Sequence, residues 1–563
     1  MSETIRKIEK AFSTPTAGKI ANGIILTVFF MIIIIPILYI FGYVFMNFGE
    51  INFRIFINPL SGNKRFLDML TALGRSFLIS SIVVIVDIII GLPMALILAR
   101  SEFKGKNLLD TLVDLPLAVP TAALGFSVYL FWGSSDGIAW IFGQTSLIPE
   151  GIIMIIMAHI IFTYPYIVRN LKVVILNVDK QLEVAAQSLG AQKFTVFRTI
   201  TGPLMKEGLI AGAILAFTRS LGETGATLIV YGVTETAPIQ IISLKTLGLF
   251  APAAFLTMIL VSIAILLLIC IKILARKVGL PIDRVWVGPE RFFSKKSVKY
   301  TRNIVIFTFF IGFVLIPATY IIPYLITHLT GNEGAIAQVF LQSDNKWATL
   351  WLSLMNSLTI ALFATLITLV IGIPMALIIV RKKWGRINAI LDTLVDLPLV
   401  IPSAALGFSV FLFWGTLGPF GVFGGIFTPG YLLILITHVV FTFPFMVRVL
   451  IAVLEGLEPG YEEAARTLGA PSFTTFRKVT LPLIKNGILA GCIMVFARSL
   501  GETGATVVVM GTIRTIPVML VDWVESVDLP AAAFASMVLI ILSFILILVL
   551  RYITLSEHQR EVT

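Results

Sequence analysis

Long apolar stretches are the feature that most constrains this chain. A helix of about 20 apolar residues crosses the roughly 30 Å hydrocarbon core of a bilayer, and the sequence holds twelve such stretches. Of its 563 residues, 58% are hydrophobic and 13% are charged, whereas soluble chains average ~45–50% and ~25%. We therefore predict an all-α membrane protein with spans at 24–47, 74–99, 108–132, 147–168, 207–233, 253–275, 302–329, 351–380, 390–415, 430–454, 486–512 and 532–551.

The second half of the chain repeats the first. Residues 108–133 and 390–415 are identical at 21 of 26 positions, and RSLGETGAT at 219–227 returns unchanged at 498–506. Each repeat has six predicted spans, so both copies cross the membrane in the same direction. This pattern predicts two parallel six-helix repeats related by an axis along the membrane normal.

Lysine and arginine placement gives the orientation. With the N-terminus inside, 33 of the 42 cations fall on the cytoplasmic side and seven fall on the outer side, which is the bias expected of cytoplasmic loops. We therefore predict a multi-pass protein of the cell membrane with both termini cytoplasmic. The predicted units are an N-terminal segment 1–23, a first domain 24–275, a linker 276–301, a second domain 302–551 and a tail 552–563.

The net charge of +11 does not indicate a nucleic-acid partner. Topology explains the charge of the basic linker. The outer loops are short, which leaves no extracellular domain of useful size. Cys270 and Cys492 lie in apolar runs, where we expect buried packing residues and no disulfide framework.

An amphipathic segment follows the fourth span of each half. It reads EVAAQSLGAQKFTVFRTITGP from Glu183 to Pro203 and EEAARTLGAPSFTTFRKVTLP from Glu462 to Pro482. Acidic residues suit a helix start, and glycine suits a helix end. A helix lying on the membrane surface would need only an amphipathic distribution of its side chains. The glutamate, the alanine pair and the glycine recur in both halves, which favours a docking element. The candidate docking residues are Glu183, Ala185, Ala186, Gly190, Glu462, Glu463, Ala464, Ala465 and Gly469.

These segments resemble the EAA signature of type I ABC importer permeases, which inserts into a cleft of the ATPase subunit. The signature is Glu-Ala-Ala, three residues, Gly, nine residues and Ile-x-Leu-Pro. The second copy matches it with Val479 in place of isoleucine. The first copy departs, with Val184 at the signature glutamate and Gly202 before Pro203.

The resemblance implies a transport subunit with separate partners. Two coupling helices in one chain imply two ABC ATPase subunits on the cytoplasmic face, and an importer of this kind receives its solute from an extracytoplasmic binding protein. The sequence contains no G-x-x-x-x-G-K-[ST] phosphate loop, so we expect no ATPase activity in the chain itself. We also expect no catalytic residue, metal or cofactor, and fused halves make homodimerisation unnecessary.

Two arginines inside the fifth and eleventh spans are the best pathway candidates. A charge at mid-membrane costs about 2.5–3.5 kcal/mol on insertion scales, so such residues usually face a bundle interior or a pathway. Each arginine lies one helical turn from a glutamate on its span, and the pair is either a neutral lock between helices or part of a polar gate. The candidates are Arg219, Glu223, Thr224, Arg498, Glu502 and Thr503.

Sequences of the form RSLGE-x-GAT are similar to those of molybdate, tungstate and sulfate permeases within the type I family. The resemblance implies an oxyanion substrate. Related fused permeases carry ferric iron or thiamine, and these remain alternatives. Thr224 and Thr503 stand where the family usually has an aromatic residue, which indicates a different constriction.

Other polar residues of the spans have simpler interpretations. Asp110 and Asp114, with Asp392 and Asp396, begin the third and ninth spans, where the helix dipole and a nearby proline account for them. His159 and His438 are expected to pack in the core or to form an interhelical hydrogen bond.

Two other function classes fit the sequence less well. A secondary transporter also has twelve spans in two halves, but its class does not require the Ala-Ala-Gly helix, and inverted three-span repeats are not evident here. An electron-transfer or haem subunit would need paired histidines on facing spans, which the sequence lacks.

Overall fold

The computed structural model describes residues 14–58, 62–274, 292–342, 344–382, 384–423 and 427–561. Every regular element within these ranges is helical, which agrees with the predicted all-α class. Residues 1–13, most of the predicted linker and the last two residues of the predicted tail lie outside them.

The first half begins with a span divided by a π-helical turn, and its remaining helices follow in the predicted order. The elements are α1 (Pro15–Phe29), a π turn (Phe30–Ile34), α2 (Ile35–Met46), α3 (Phe48–Asn52), a π turn (Phe53–Ile57), α4 (Gly62–Arg100), α5 (Lys106–Ala118), α6 (Thr121–Trp132), a 3₁₀ turn (Ile138–Phe142), α7 (Ile152–Asn177), α8 (Lys180–Ser188), α9 (Lys193–Val196), a π turn (Phe197–Thr201), α10 (Gly202–Gly222), α11 (Gly225–Val230), α12 (Ala237–Thr246) and α13 (Phe250–Leu274).

The second half follows the same plan. Its elements are α14 (Lys296–Phe309), a π turn (Phe310–Leu315), α15 (Ile316–Thr319), α16 (Ile321–Thr327), a π turn (Ala337–Leu341), α17 (Lys346–Arg381), α18 (Arg386–Val395), α19 (Leu397–Val400), α20 (Ser403–Trp414), a 3₁₀ turn (Gly421–Phe423), α21 (Tyr431–Gly456), α22 (Gly460–Thr467), α23 (Ser472–Thr475), a π turn (Phe476–Thr480), α24 (Leu481–Leu500), α25 (Gly504–Val509), α26 (Ile516–Glu525) and α27 (Leu529–Glu561). The last helix continues through the described part of the predicted tail.

Nine helices in the described ranges are long and apolar enough to cross a membrane, or up to twelve if each bent pair counts as one span. The predicted spans 108–132 and 390–415 are each bent. The chain turns by 103° between α5 and α6 and by 108° between α19 and α20. Proline explains the break, because the residue before it is driven out of the helical region; Val119 and Ile401 are both extended.

The first span of each half packs against the other half. Helix α2 contacts α20, and α1 contacts α17, while α14 contacts α4 and α15 contacts α6. Ser127 on α6 fixes the second exchange, because its hydroxyl donates to the Pro317 carbonyl at 2.7 Å and accepts from the Ile321 N–H at 3.0 Å. The exchanged spans hold the two repeats together around a shared core.

Candidate functional site

The predicted fifth span is interrupted at the repeated RSLGETGAT motif. Helix α10 ends at Gly222, Glu223 is extended (φ −69°, ψ 127°), and α11 begins at Gly225. The Glu223 carboxylate accepts the Ala226 N–H at 3.1 Å and so caps the new helix. The second half repeats this break, with Glu502 accepting from Ala505 at 2.9 Å.

A histidine on the fourth span of each half holds both sides of the break. His159 Nδ1 lies 2.9 Å from Ser220 Oγ, before the break, and its Nε2 lies 2.9 Å from Thr227 Oγ1, after it. His438 makes the same two contacts with Ser499 and Thr506 at 2.7 and 2.9 Å. These bonds confirm the interpretation of the two histidines as interhelical hydrogen-bonding residues.

The two broken segments meet across the interface between the halves. A methyl group on Gly225 would lie 2.5 Å from Thr121 Oγ1 and 3.0 Å from Thr503 Oγ1 of the other half. A methyl group on Gly504 would likewise lie 2.5 Å from Thr224 Cβ. Only glycine permits so close an approach of a threonine side chain to the backbone, and the segments therefore pack against each other.

A cavity of about 70 Å³ lies at this meeting point, which we term the gate cavity. Five of the six predicted pathway residues line it: Arg219, Glu223, Arg498, Glu502 and Thr503. The sixth, Thr224, is 1% exposed and lies 3.5 Å from Ser403 Oγ, which also lines the cavity. Its volume holds a few water molecules, so the arrangement is a narrow, closed polar junction.

Neither arginine forms the expected ion pair one turn along its helix. The break turns Glu223 and Glu502 away into capping roles, and no salt bridge joins either glutamate to an arginine in the described ranges. Arg219 Cζ instead lies 5.0 Å from the Phe162 ring centroid, and Arg498 Cζ lies 5.2 Å from that of Phe445. Cation–π contact stabilises each guanidinium, while each Nε has no hydrogen-bond partner among the residues described.

The aspartates at the start of the third and ninth spans form ion pairs, so the explanation from dipole and proline alone is wrong. Arg169 on α7 bonds Asp110 at 2.9 Å and also binds Asp114. In the second half, Arg448 bonds Asp392 and Asp396 at 2.6 Å. Asp110, Asp114 and Asp392 lie beyond the first turn of their helices, where the dipole effect has faded. Asp396 lies at the start of α19, and arginine contacts hold all four aspartates.

Each of the predicted docking helices, α8 and α22, is anchored by a glutamate that pairs with an arginine. Glu183 Oε1 lies 3.0 Å from Arg100 Nη2 and accepts the Thr201 hydroxyl at 2.9 Å. Glu462 repeats the contacts with Arg381 and Thr480 at 3.1 and 3.0 Å. The substitution at Val184 therefore leaves this anchor intact, because the anchoring carboxylate is one position earlier in both copies.

The far end of each docking helix is a solvent-facing tip. Gly190 and Gly469 adopt left-handed φ values of +91° and +83°, which confirms them as helix-ending residues. The leucines before them, Leu189 and Leu468, are 91% and 89% exposed. Sequence reasoning missed these leucines, although an apolar residue beside a predicted helix-ending glycine, present in both copies, was a usable signal.

Two cysteines depart from their expected burial. Cys270 on α13 and Cys492 on α24 are free and only half-buried. Their apolar surroundings in sequence indicated a core position, but apolar residues of a helix also face outwards.

Comparison with known proteins gives one family. Residues 88–280 and 369–555 each match the model of the binding-protein-dependent transport system inner membrane component. The two matches fall in the two sequence repeats. Each therefore covers one RSLGETGAT motif and one predicted docking helix.

Several individual proteins are similar to single halves. The molybdate/tungstate transport system permease protein of Methanocaldococcus jannaschii is 30% identical over 44% of this chain and 94% of its own length. The molybdenum transport system permease protein of Escherichia coli K12 is 36% identical over 36% and 91%. The sulfate transport system permease protein CysW of the same strain is 33% identical over 42% and 81%.

Proposed function

This chain belongs to the family of binding-protein-dependent transport system inner membrane components, and we propose that it is the fused permease of an ATP-driven oxyanion importer. The observation that carries the proposal is the pair of anchored helices with exposed Leu-Gly tips, one in each half. A single chain with two such tips offers equivalent docking points to two ATPase subunits. The solute would reach it from a binding protein on the outer face.

Reconstitution tests this proposal directly. The chain, co-purified with its ATPase and placed in vesicles, should take up solute only when ATP and the loaded binding protein are present. Uptake that persists without ATP and collapses with the proton gradient would instead identify a secondary transporter.

The exposed residues of α8 and α22 form the proposed docking surface. Val184, Ala185, Glu463 and Ala464 face solvent, whereas Glu462 is 6% exposed and paired. We therefore assign contact with the ATPase to the alanines, the glycines, Glu463 and the leucine tips, and we assign positioning of the helix to Glu183 and Glu462. The alanines leave room for a partner backbone, and the leucines supply apolar anchors.

Substitution at a tip glycine separates docking from folding. Gly469→Glu places a long charged side chain on the docking surface and should abolish capture of the ATPase. Gly469→Asn is the matched control, because asparagine tolerates the left-handed conformation and adds little bulk. Equal ATPase capture by both variants would overturn the docking assignment.

An oxyanion is favoured by the state of the charges at the gate cavity. Both glutamates are engaged as helix caps, whereas both guanidinium groups keep an Nε without a partner among the described residues. The open hydrogen-bonding capacity is therefore cationic and suits an anion. Relatives named for molybdate, tungstate and sulfate transport agree with this choice.

Competition assays distinguish the substrates. Molybdate, tungstate and sulfate uptake should compete with one another, and ferric iron and thiamine should not compete. Arg219→Gln and Arg498→Gln should each reduce oxyanion uptake. If both variants transport at the normal rate, the arginines are only structural locks.

We propose that the protein lies in the cell membrane with α8, α22 and both termini on the cytoplasmic side. It is supported by the excess of cations on that side. In a background without Cys270 and Cys492, Ser188→Cys should react with an impermeant thiol reagent only from the cytoplasmic face, and Thr145→Cys only from the outer face. The reverse labelling would refute the orientation.

A further inference from the structure

A second cavity, of about 540 Å³, lies between docking helix α8 and the start of α14. We term it the linker pocket. Its apolar wall includes Leu92 and Leu96 of α4 and the rings of Phe194 and Phe293, whose centroids are 5.1 Å apart. The Phe194 N–H also donates to Ser294 Oγ at 3.3 Å, so the chain before α14 is clasped to the segment after α8.

The rim of the linker pocket carries uncompensated positive charge. Five cations line it: Arg100, Lys180, Lys193, Lys299 and Arg302. Its one acidic residue, Glu183, is already bound to Arg100 at 3.0 Å. Within the described ranges Lys180, Lys193 and Lys299 form no salt bridge, and Arg302 bonds only the Asn303 side chain, at 2.9 Å.

The corresponding pocket of the second half is less cationic, because three cations line it, Arg381, Lys382 and Arg466, and the first of them pairs with Glu462. It measures about 210 Å³ and lies between α17, α22 and α1. Ser472 lines it where the repeat register of the first half has Lys193, and the residue equivalent to Arg302 is Ala21. The larger and more cationic of the two pockets is thus the one at the junction between the halves.

Mutual repulsion of cations around a cavity favours binding of an anion, and an adjoining apolar wall favours an acyl chain. The pocket also lies where α14, which begins at Lys296, enters its apolar span. Basic pockets between spans at the cytoplasmic side are suited to phospholipid headgroups.

We propose that the linker pocket binds an anionic phospholipid of the cytoplasmic leaflet, with its phosphate among Lys193, Lys299 and Arg302. The bound lipid would brace docking helix α8 against the seventh span, because Val184 and Gln187 of α8 also line the pocket. The first docking helix would then depend on anionic lipid, and the second would not. The choice of leaflet rests on the orientation proposed above.

Native mass spectrometry of the delipidated full chain tests the proposal with defined probes. Dioctanoyl phosphatidylglycerol should bind with one tight site, while dioctanoyl phosphatidylcholine and inorganic phosphate should not compete for it. Lys193→Gln/Lys299→Gln should weaken that site by about 25-fold, since each basic residue contributes on the order of fivefold. Lys193→Arg/Lys299→Arg should retain it.

The second half supplies the matched control, Lys382→Gln/Arg466→Gln, which removes two cations from the smaller pocket and should leave the tight site unchanged. Equal weakening by both glutamine pairs, equal binding of phosphatidylcholine or displacement by inorganic phosphate would each overturn the proposal. Binding is measured without an ATPase or substrate, so its failure is separate from failure of the transport assay. The thiol-labelling experiment tests orientation independently.

Discussion

At the gate cavity the two halves present the same residues in the same roles, whereas at their cytoplasmic ends they differ. Glu223 and Glu502 cap equivalent helices, and His159 and His438 bridge equivalent breaks. The linker pocket is large and is lined by five cations, whereas its counterpart is smaller and is lined by three. Residues that touch across the pseudo-two-fold axis are constrained by both halves, while peripheral residues are constrained by one.

One difference between the halves lies within the spans. Asp87 on α4 is fully buried, and its Oδ2 accepts the Thr163 hydroxyl at 2.5 Å while Oδ1 has no partner in the described ranges. Thr368 occupies the equivalent position of α17 and donates back to the Ala364 carbonyl at 2.8 Å. The repeat therefore tolerates two polar solutions at a site away from the axis.

The strongest test of the symmetry is to introduce a larger side chain at the gate cavity from each half in turn. Gly225→Val and Gly504→Val should each lower transport by about thirtyfold, because overpacking of a tight contact costs ~1–3 kcal/mol. Gly456→Val is the control, since that position has open space. Solute uptake in vesicles measures the effect, and a loss confined to one half would break the symmetry.

Removal of the histidine bridges should affect both halves equally. His159→Phe and His438→Phe each remove two hydrogen bonds and leave buried hydroxyls, so each should lower the free energy of unfolding by about 2 kcal/mol. Chemical denaturation in detergent measures this change. Differences larger than about 1 kcal/mol between the two variants would show that the breaks are held differently, since the wild-type contacts are alike.

The tips should respond in binding and not in stability. Leu189→Asp and Leu468→Asp should each reduce ATPase affinity by about tenfold, because a central apolar anchor contributes more than ~1 kcal/mol to an interface. Both leucines are about nine-tenths exposed, so the melting temperature should not change. The test is the affinity of each variant for the purified ATPase. A fall in melting temperature that accounts for the loss of affinity would refute the assignment.

The smallest effect is expected where the halves already differ. Asp87→Thr places in the first half the residue that the second half has at the equivalent position. It removes a carboxyl oxygen that has no partner in the described ranges, so the free energy of unfolding should change by less than about 1 kcal/mol. Thr368→Asp, the reverse exchange, buries a new carboxyl and should destabilise by about 1–3 kcal/mol. Denaturation of both variants checks the prediction, and equal effects would contradict it.

Much of the fold followed from local sequence signals. Apolar length predicted the spans, and repetition predicted two equivalent halves, because both properties depend on residues near one another in the chain. The left-handed glycines at 190 and 469 followed from their place after a helix. Five of the residues that line the gate cavity were also singled out from sequence, since charges inside apolar spans are conspicuous, and their role in a pathway stays a prediction.

Other features required contacts between distant residues. The breaks at Glu223 and Glu502 are held by histidines more than sixty positions away, so the sequence alone predicted continuous helices and a false ion pair. The Arg100–Glu183 anchor likewise joins residues 83 positions apart. The length of the apolar stretches and the internal repeat are local properties, and the sequence determined them by itself. The choice of hydrogen-bond or ion-pair partner for each polar group depends on packing between helices, and only the tertiary structure decided it.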